Sequence, residues 1–423
     1  MASGKLPPLD SRQVIKDLKD LARLTSTPDG AQRVAWGPVW RKARSWFTAK
    51  VKSELGLPVR RDSAGNNWVT LPGRRPDGVI IGSHLDSVPN GGWLDGCFGV
   101  ICGLGALRRH RAAGKPPVTI HLVDWADEEG ARFGRSLVGS SAAGGSLDPG
   151  RELAHLVDRS GTRLPDALKE NGVDLNHLLR AQKELKDVRG KAYLEVHIEQ
   201  GPVLEKMKKS TGVVLGTFGV ERHLIRFTGQ AAHSGSTPIP MRRDAFLAAS
   251  EFALACRQIG LKMSGPTPET RVVSTCGVVR VEPCIVTAVP GVCEISLDQR
   301  ALSAKVLARM NATARIASAR AAKRNNVRVD WKAIWRIEPR PFNKNLLRLC
   351  AESVQEITGT APRLPSGPLH DAAEMVPHMP TVMMFALSSR GLSHCKEEDT
   401  PLPHLDRTIR SFHLLVEKVV DQA

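Results

Sequence analysis

Histidines and acids recur at four places where an apolar run gives way to a turn. In residues 82–100, GSHLDSVPNGGWLDGCFGV, His84 offers an imidazole and Asp86 and Asp95 offer carboxylates. Residues 126–130 read ADEEG, with Glu128 and Glu129 side by side, and His197 stands in KAYLEVHIEQG. His394 stands in SSRGLSHCKEEDT. Taken singly, each has an ordinary reading: a helix-capping aspartate beside a solvent histidine, a solvated acidic loop, a satisfied core histidine. Taken together they form a mixed oxygen and nitrogen donor set. Adjacent acids at a strand end are costly if buried without a partner, and a divalent cation resolves that conflict. Five ligands exceed the needs of one tetrahedral ion, which takes about three protein ligands and a water in a catalytic zinc site. The set suits two ions ~3.5–4 Å apart that share a carboxylate. Asp95 is the natural bridge, and one glutamate is left over to carry protons.

The elements that must position these groups are legible from periodicity. Residues 78–84 form a short β-branched run ending at His84, and residues 118–125 a near-continuous apolar run ending before the acids. From Gly99 to Leu107 the spacing turns helical and stops near Gly114. Carboxylates at strand-to-helix junctions lie where open α/β sheets bind ligands. Helical periodicity also marks residues 10–55, with a turn at Thr27–Gly30. Residues 57–71 read as strand, turn and strand.

From about Thr211 the organisation changes to strands at 213–218, 223–228, 272–279 and 292–298 with helices at 243–259 and 304–324. This pattern predicts an α+β sandwich, residues 211–331, inserted between two parts of an α/β domain at 1–210 and 332–423. The insert carries His233 in AAHSGSTP and Arg300 in SLDQR. After it come helices at 343–359 and 405–420, a loop-to-helix junction at 366–375, and a strand at 381–387.

Composition narrows the partners. The 423 residues carry 60 Lys and Arg against 43 Asp and Glu, a formal charge of +17. The basic residues are scattered and there is one tyrosine, so stacking aromatics interleaved with cations are missing and nucleic acid is not expected. A positive field does favour small carboxylate substrates. The eight cysteines form no CxxC pair and read as reduced. The N-terminal segment MASGKLPPLDSRQ lacks a signal-type apolar core, and no run approaches a membrane span, so a cytoplasmic protein is expected.

The motifs GSHLDSV, WLDGCFGV, ADEEGARF, EVHIEQGPVLE, HSGSTP with RRDA, VPG with SLDQR, and GLSHCKEEDT resemble the M20-type dinuclear metal amidohydrolases. The likeness is to the branch containing N-carbamoyl-L-amino-acid hydrolases, β-ureidopropionases and allantoate amidohydrolases. It covers essentially the whole chain in order, and HIEQG is its most informative segment. It implies a zinc-peptidase-like catalytic domain, with a central mixed sheet flanked by helices, and an inserted lid and dimerisation domain.

The resemblance also implies roles. His84, Asp95 and His197 would hold one metal, and Asp95, Glu129 and His394 the other, the ions being zinc or else manganese, cobalt or nickel. Glu128 would be the general base, and Asp86 would orient His84. His233 would polarise the scissile carbonyl, reaching across the interface of a homodimer. Arg300 would clamp the substrate carboxylate, a task suited to a guanidinium fork, with Arg222, Gln200 and His370 as further substrate contacts. The implied reaction is hydrolysis of an N-carbamoyl amino acid to the amino acid, ammonia and carbon dioxide. Allantoate amidohydrolase and β-ureidopropionase are the near alternatives. An aminoacylase, a dipeptidase or a basic binding protein on a retired scaffold are more distant ones. Four positions depart from the family pattern: Thr287 where an asparagine is usual before VPG, Pro368 and Leu369 within SGPLHDA, and Cys395 after the last ligand histidine.

Overall fold

Strand Val118–Trp125 is buried at every position, because both faces of its sheet are covered. Its neighbour Arg75–His84 sends Val79 and Ile81 into one apolar cluster and Ile80 into another, the latter shared with Trp125 and Tyr193. Two-sided burial is why these strands read as continuous apolar runs rather than alternating ones. The computed structural model describes residues 5–423, so the first four residues of the N-terminal segment considered above lie outside the described residues.

The main sheet is mixed. Four parallel strands form its centre, in the order Thr381–Ala386, Gly190–Ile198, Arg75–His84, Val118–Trp125. Asn67–Leu71 joins antiparallel on one side and Thr211–Thr217 on the other. The chain leaves Arg75–His84 for Val118–Trp125 on one flank and then crosses to Gly190–Ile198 on the opposite flank. The point where strand order reverses therefore lies between the strands bearing His84 and His197, the usual ligand position in such sheets.

Helix Cys97–Ala112 packs tightly across this centre. A Cβ at Gly99 would sit 2.5 Å from Ser83 Cβ, and one at Gly103 2.5 Å from Leu122 Cδ1. Glycine is thus what lets the helix approach the sheet beneath the site.

Contacts divide the chain into two compact units. One comprises the residues up to Leu215 with Phe342–Leu364 and Leu369–Ala423, the other Gly216–Pro341 with Pro365–Pro368. In the second unit an antiparallel sheet runs Val272–Thr275, Val292–Ala301, Gly219–Thr228, Arg328–Ile337. Along Val292–Ala301 every second residue is buried, and Cys293, Ile295 and Leu297 pack with Phe252 and Met310 of the helices Ala245–Met263 and Ala304–Arg324. Asp298 and Arg300 point to the other face. Asp244 caps the first of these helices by accepting from the amides of Phe246 and Leu247.

Three details differ from the sequence expectation. The run expected as one strand at 272–279 is two strands, Val272–Thr275 and Val279–Glu282, which pair with opposite ends of Val292–Ala301. The strand read at 213–218 as the insert's first is Thr211–Thr217, which pairs with Thr381–Ala386 in the main sheet and is buried throughout. Strand Arg328–Ile337, where the expected boundary at 331 falls, was not anticipated. A register shift between Ala333 and Trp335 breaks its alternation, and most of its residues are exposed.

Candidate metal centre

Each central parallel strand delivers a group able to hold a cation or a proton. Arg75–His84 ends on His84, the acids Asp127, Glu128 and Glu129 follow Val118–Trp125, and His197 is the penultimate residue of Gly190–Ile198. His394 stands in the loop after Thr381–Ala386, and Asp95 lies just before helix Cys97–Ala112. Asp127, Gln200 and His394 all have positive φ, at 58°, 56° and 59°. Non-glycine residues held there are a mark of functional loops.

Two triads of donor atoms result. Those of His84, Asp95 and His197 all lie within 4.8 Å of one another, and so do those of Asp95, Glu129 and His394. Asp95 serves both through different oxygens. Its Oδ1 is 3.1 Å from His197 Nε2 and 3.9 Å from His84 Nε2, while its Oδ2 is 3.4 Å from His394 Nε2. His394 Nε2 is also 3.4 Å from Glu129 Oε2. Glu128 belongs to neither triad but places Oε2 3.6 Å from His84 Nε2.

The electrostatics match a cation site. Burial pushes the Glu128 carboxyl well above its ordinary range, with Glu129 and Asp371 adding to the shift although His84 opposes it. Burial and the charge of Asp95 raise Glu129 to about 7. Asp95 is the exception: burial would raise it, but the hydrogen bonds with His197 and His394 hold it well below the carboxylate range. His84 Nε2 and Glu129 Oε1 are buried without a hydrogen-bond partner among the described residues. Buried polar atoms rarely stay unsatisfied, and two divalent cations would satisfy both. The donor set therefore fits a dinuclear divalent-metal centre.

Asp86 lies behind this cluster. Its Oδ1 is 3.5 Å from His84 Nδ1, and its two oxygens accept from the amides of Glu128 at 3.3 Å and Glu129 at 3.1 Å. One carboxylate thus orients a ligand of one triad and the turn that supplies the other. Gln200, expected as a substrate contact, donates from Nε2 to Asp95 Oδ2 at 2.8 Å. His370 is buried with its ring centroid 4.5 Å from that of His197, and its Nε2 lacks a hydrogen-bond partner among the described residues. Sequence reasoning passed over Gly96, Ser393 and Glu398. A Cβ on Gly96 would lie 2.2–2.4 Å from the His84 ring, and Gly96 has φ +65°. The only sequence signals were its place between Asp95 and a helix, and the acids KEED after His394.

The remaining expected residues belong to the second unit. His233 Nδ1 accepts from the amides of Gly235 and Ser236 at 3.1 and 3.2 Å, which puts the ring proton of the neutral imidazole on Nε2. Arg300 donates to both oxygens of Asp298, at 2.8 and 3.2 Å, and to the Gly367 carbonyl at 2.9 Å. Arg222 donates to Asp298 Oδ2 at 2.6 and 3.0 Å. One carboxylate therefore aligns two guanidiniums and leaves a net positive charge on the open sheet face.

No helix among the described residues is long and apolar enough to cross a membrane. Comparison with known proteins gives three full-length likenesses. The chain is 34% identical over 388 residues to the N-carbamoyl-L-amino acid amidohydrolase of Geobacillus stearothermophilus, covering 90% of this chain and 91% of that one. It is 31% identical over 417 residues to the allantoate amidohydrolase of Escherichia coli, covering 97% and 98%. The crystal structure of an amidase of the hydantoinase/carbamoylase family from Burkholderia multivorans superposes with a TM-score of 0.85 at 30% identity, covering 97% and 98%. The profile of peptidase family M20/M25/M40 matches residues 80–418. A donor set of this kind on this sheet, in a chain with these likenesses, acts as a hydrolase of carbon–nitrogen bonds in linear amides. The chain belongs to the M20/M25/M40 peptidase family, in its hydantoinase/carbamoylase branch.

Proposed function

We propose that this hydrolase removes the N-carbamoyl group of an N-carbamoyl-L-amino acid. The observation that carries the reading is Asp95, which offers one oxygen to each of two donor triads while Glu128 stands beside them and belongs to neither. His84, Asp95 and His197 would hold one divalent ion and Asp95, Glu129 and His394 the other, zinc or else manganese, cobalt or nickel, and such ions would supply Lewis acidity and make water easier to deprotonate near neutral pH. Glu128 is placed to take a proton from the attacking water and to hand it later to the leaving nitrogen. A carboxyl raised by burial is matched to such two-way transfer. Water adds to the ureido carbonyl and the bond to the amino-acid nitrogen breaks. The carbamic acid left over falls to ammonia and carbon dioxide.

Residues of the second unit fit the rest of the substrate. His233 Nε2–H is a donor for a carbonyl oxygen, and Arg300, already aligned by Asp298, is a donor for a carboxylate. Arg222 beside it favours allantoate as the second reading, since a further guanidinium can serve a substrate with a second ureido arm. The same unit supports pairing with a second copy of the chain. Leu247, Leu254 and Leu261 recur every seventh residue on helix Ala245–Met263, and all three are exposed. They form an apolar stripe on the side away from buried Phe252 and Cys256.

Ammonia and amine release from metal-loaded protein, measured side by side on N-carbamoyl amino acids, β-ureidopropionate, allantoate and N-acetyl amino acids, tests the reading. Fastest turnover is expected on N-carbamoyl-L-amino acids. Preference for allantoate would favour the second reading, and activity confined to N-acetyl substrates would end both.

A further inference from the structure

Glu398 follows His394 by four residues and is 2% exposed. Its Oε1 accepts from the amides of Leu94 at 3.1 Å and Asp95 at 3.0 Å. Its Oε2 lies 2.8 Å from Ser393 Oγ, which itself lies 2.8 Å from Asp95 Oδ2. The next residue, Asp399, accepts from Trp93 Nε1 at 3.1 Å. The loop bearing His394 is thus stitched to the loop bearing Asp95: Glu398 holds the Asp95 backbone, and the Ser393 hydroxyl, with one proton to give, bridges the Asp95 and Glu398 carboxylates.

We propose that Glu398 is a positioning residue of the metal centre: through the Leu94 and Asp95 amides and through Ser393 it sets the rotation of Asp95. That rotation decides whether Oδ1 faces His84 and His197 while Oδ2 faces Glu129 and His394. The proposal rests on the two-cation reading of the site. A second feature of the fold points the same way. A Cβ on Gly92 would lie 2.0 Å from Glu398 Oε1 and 2.1 Å from its Cδ. Gly92 does not have the positive φ that favours glycine, so its constraint is the space that Glu398 needs. Outer partners of metal ligands act in this way, and their loss weakens metal binding by about 10–100-fold.

The alternative is a loop staple that holds the fold and leaves the cations indifferent. Wild type, Glu398→Ala, Glu398→Gln, Gly92→Ala and the Glu398→Ala/Gly92→Ala double variant are stripped of metal and titrated with Co(II), reading the visible absorption and the cobalt per chain. Thermal melts of the metal-free proteins are run in parallel. Wild type is expected to take two ions. Glu398→Ala and Gly92→Ala should each bind both ions about 10–100-fold more weakly, because the shared ligand is displaced. The double variant should be no worse than Glu398→Ala, since both changes break the same contact, and the metal-free melts should change little. Cobalt binding like wild type in Glu398→Ala or in Gly92→Ala would overturn the proposal, as would losses that add in the double variant. Should Glu398→Ala not fold, Gly92→Ala decides by the same readout, and Glu398→Gln, which keeps an acceptor for the Leu94 and Asp95 amides, is expected to bind cobalt more tightly than Gly92→Ala. A wild-type chain that takes fewer than two ions overturns the two-cation reading itself, and that outcome is seen before any variant is compared.

Discussion

At the scale of single residues, the site works by giving chemically identical groups different surroundings. Glu128 and Glu129 are neighbours in the chain, yet Glu129 joins a donor triad and Glu128 does not. Glu128→Gln keeps the size of the side chain and removes its ability to take a proton. Turnover is expected to fall by about 10²–10⁴-fold, the usual worth of a positioned base, with metal content unchanged. Stopped assays and metal analysis on one preparation check this, and near-normal turnover would end the assignment. Gly96 makes a different demand. Its positive φ and the His84 ring leave no room for a side chain, so Gly96→Ala must move either the Asp95 loop or the imidazole. Metal affinity is then expected to drop by at least about 10-fold, seen as faster loss of metal to a chelator, and unchanged retention would show that the ring can yield.

At the scale of elements, the four parallel strands and the acids at their exits were legible in the sequence, because two-sided burial writes itself as apolar runs such as residues 118–125. What was not legible depended on distant contacts. Glu398 accepts from amides 303 and 304 positions earlier, a relation no local pattern encodes. The register shift in Arg328–Ile337 breaks the alternation that would mark it as a strand, and nothing in the composition of Thr211–Thr217 says which sheet it enters. Helix packing carries a consequence for acid stability. His413, on helix Leu402–Gln422, is buried and donates from Nε2 to the Cys102 carbonyl at 2.9 Å. Burial, reinforced by Arg109 and Arg108, lowers its pKa to about 4 despite that hydrogen bond. An unfolded histidine titrates near 6.5. As pH falls from about 6.5 to about 4, the unfolded chain takes up a proton that the folded chain refuses. The contribution is thus whole above 6.5 and is lost through that window, up to about 3 kcal/mol. His110 and His121 are likewise lowered to about 4, mainly by burial, and add to the same trend. Urea unfolding of metal-free protein at several pH values should show stability declining below 6.5. His413→Gln should flatten that decline by up to about 1.4 kcal/mol per pH unit, and parallel curves for the two proteins would refute the linkage.

At the scale of the whole molecule, a formal charge of +17 on a chain without interleaved aromatics suits small anions better than nucleic acid. The apolar stripe on helix Ala245–Met263 is the surface proposed above for pairing. Leu254 is its middle member and is 68% exposed, with Leu247 and Leu261 one heptad away on either side. None of the donor residues of the two triads lies on this helix. In a twofold-symmetric pair each stripe meets its own copy, so a single substitution is felt twice. Burying a leucine is worth about 1.5–3 kcal/mol, so Leu254→Asp removes about 3–6 kcal/mol from a pair, or about 10²–10⁴-fold in dissociation constant. Sedimentation at micromolar concentration is expected to show wild type as a dimer and Leu254→Asp as a monomer, with two metal ions retained per chain in both. A wild-type monomer across the accessible range would end the pairing proposal. A Leu254→Asp dimer of unchanged affinity would mean that the copies meet through a different surface.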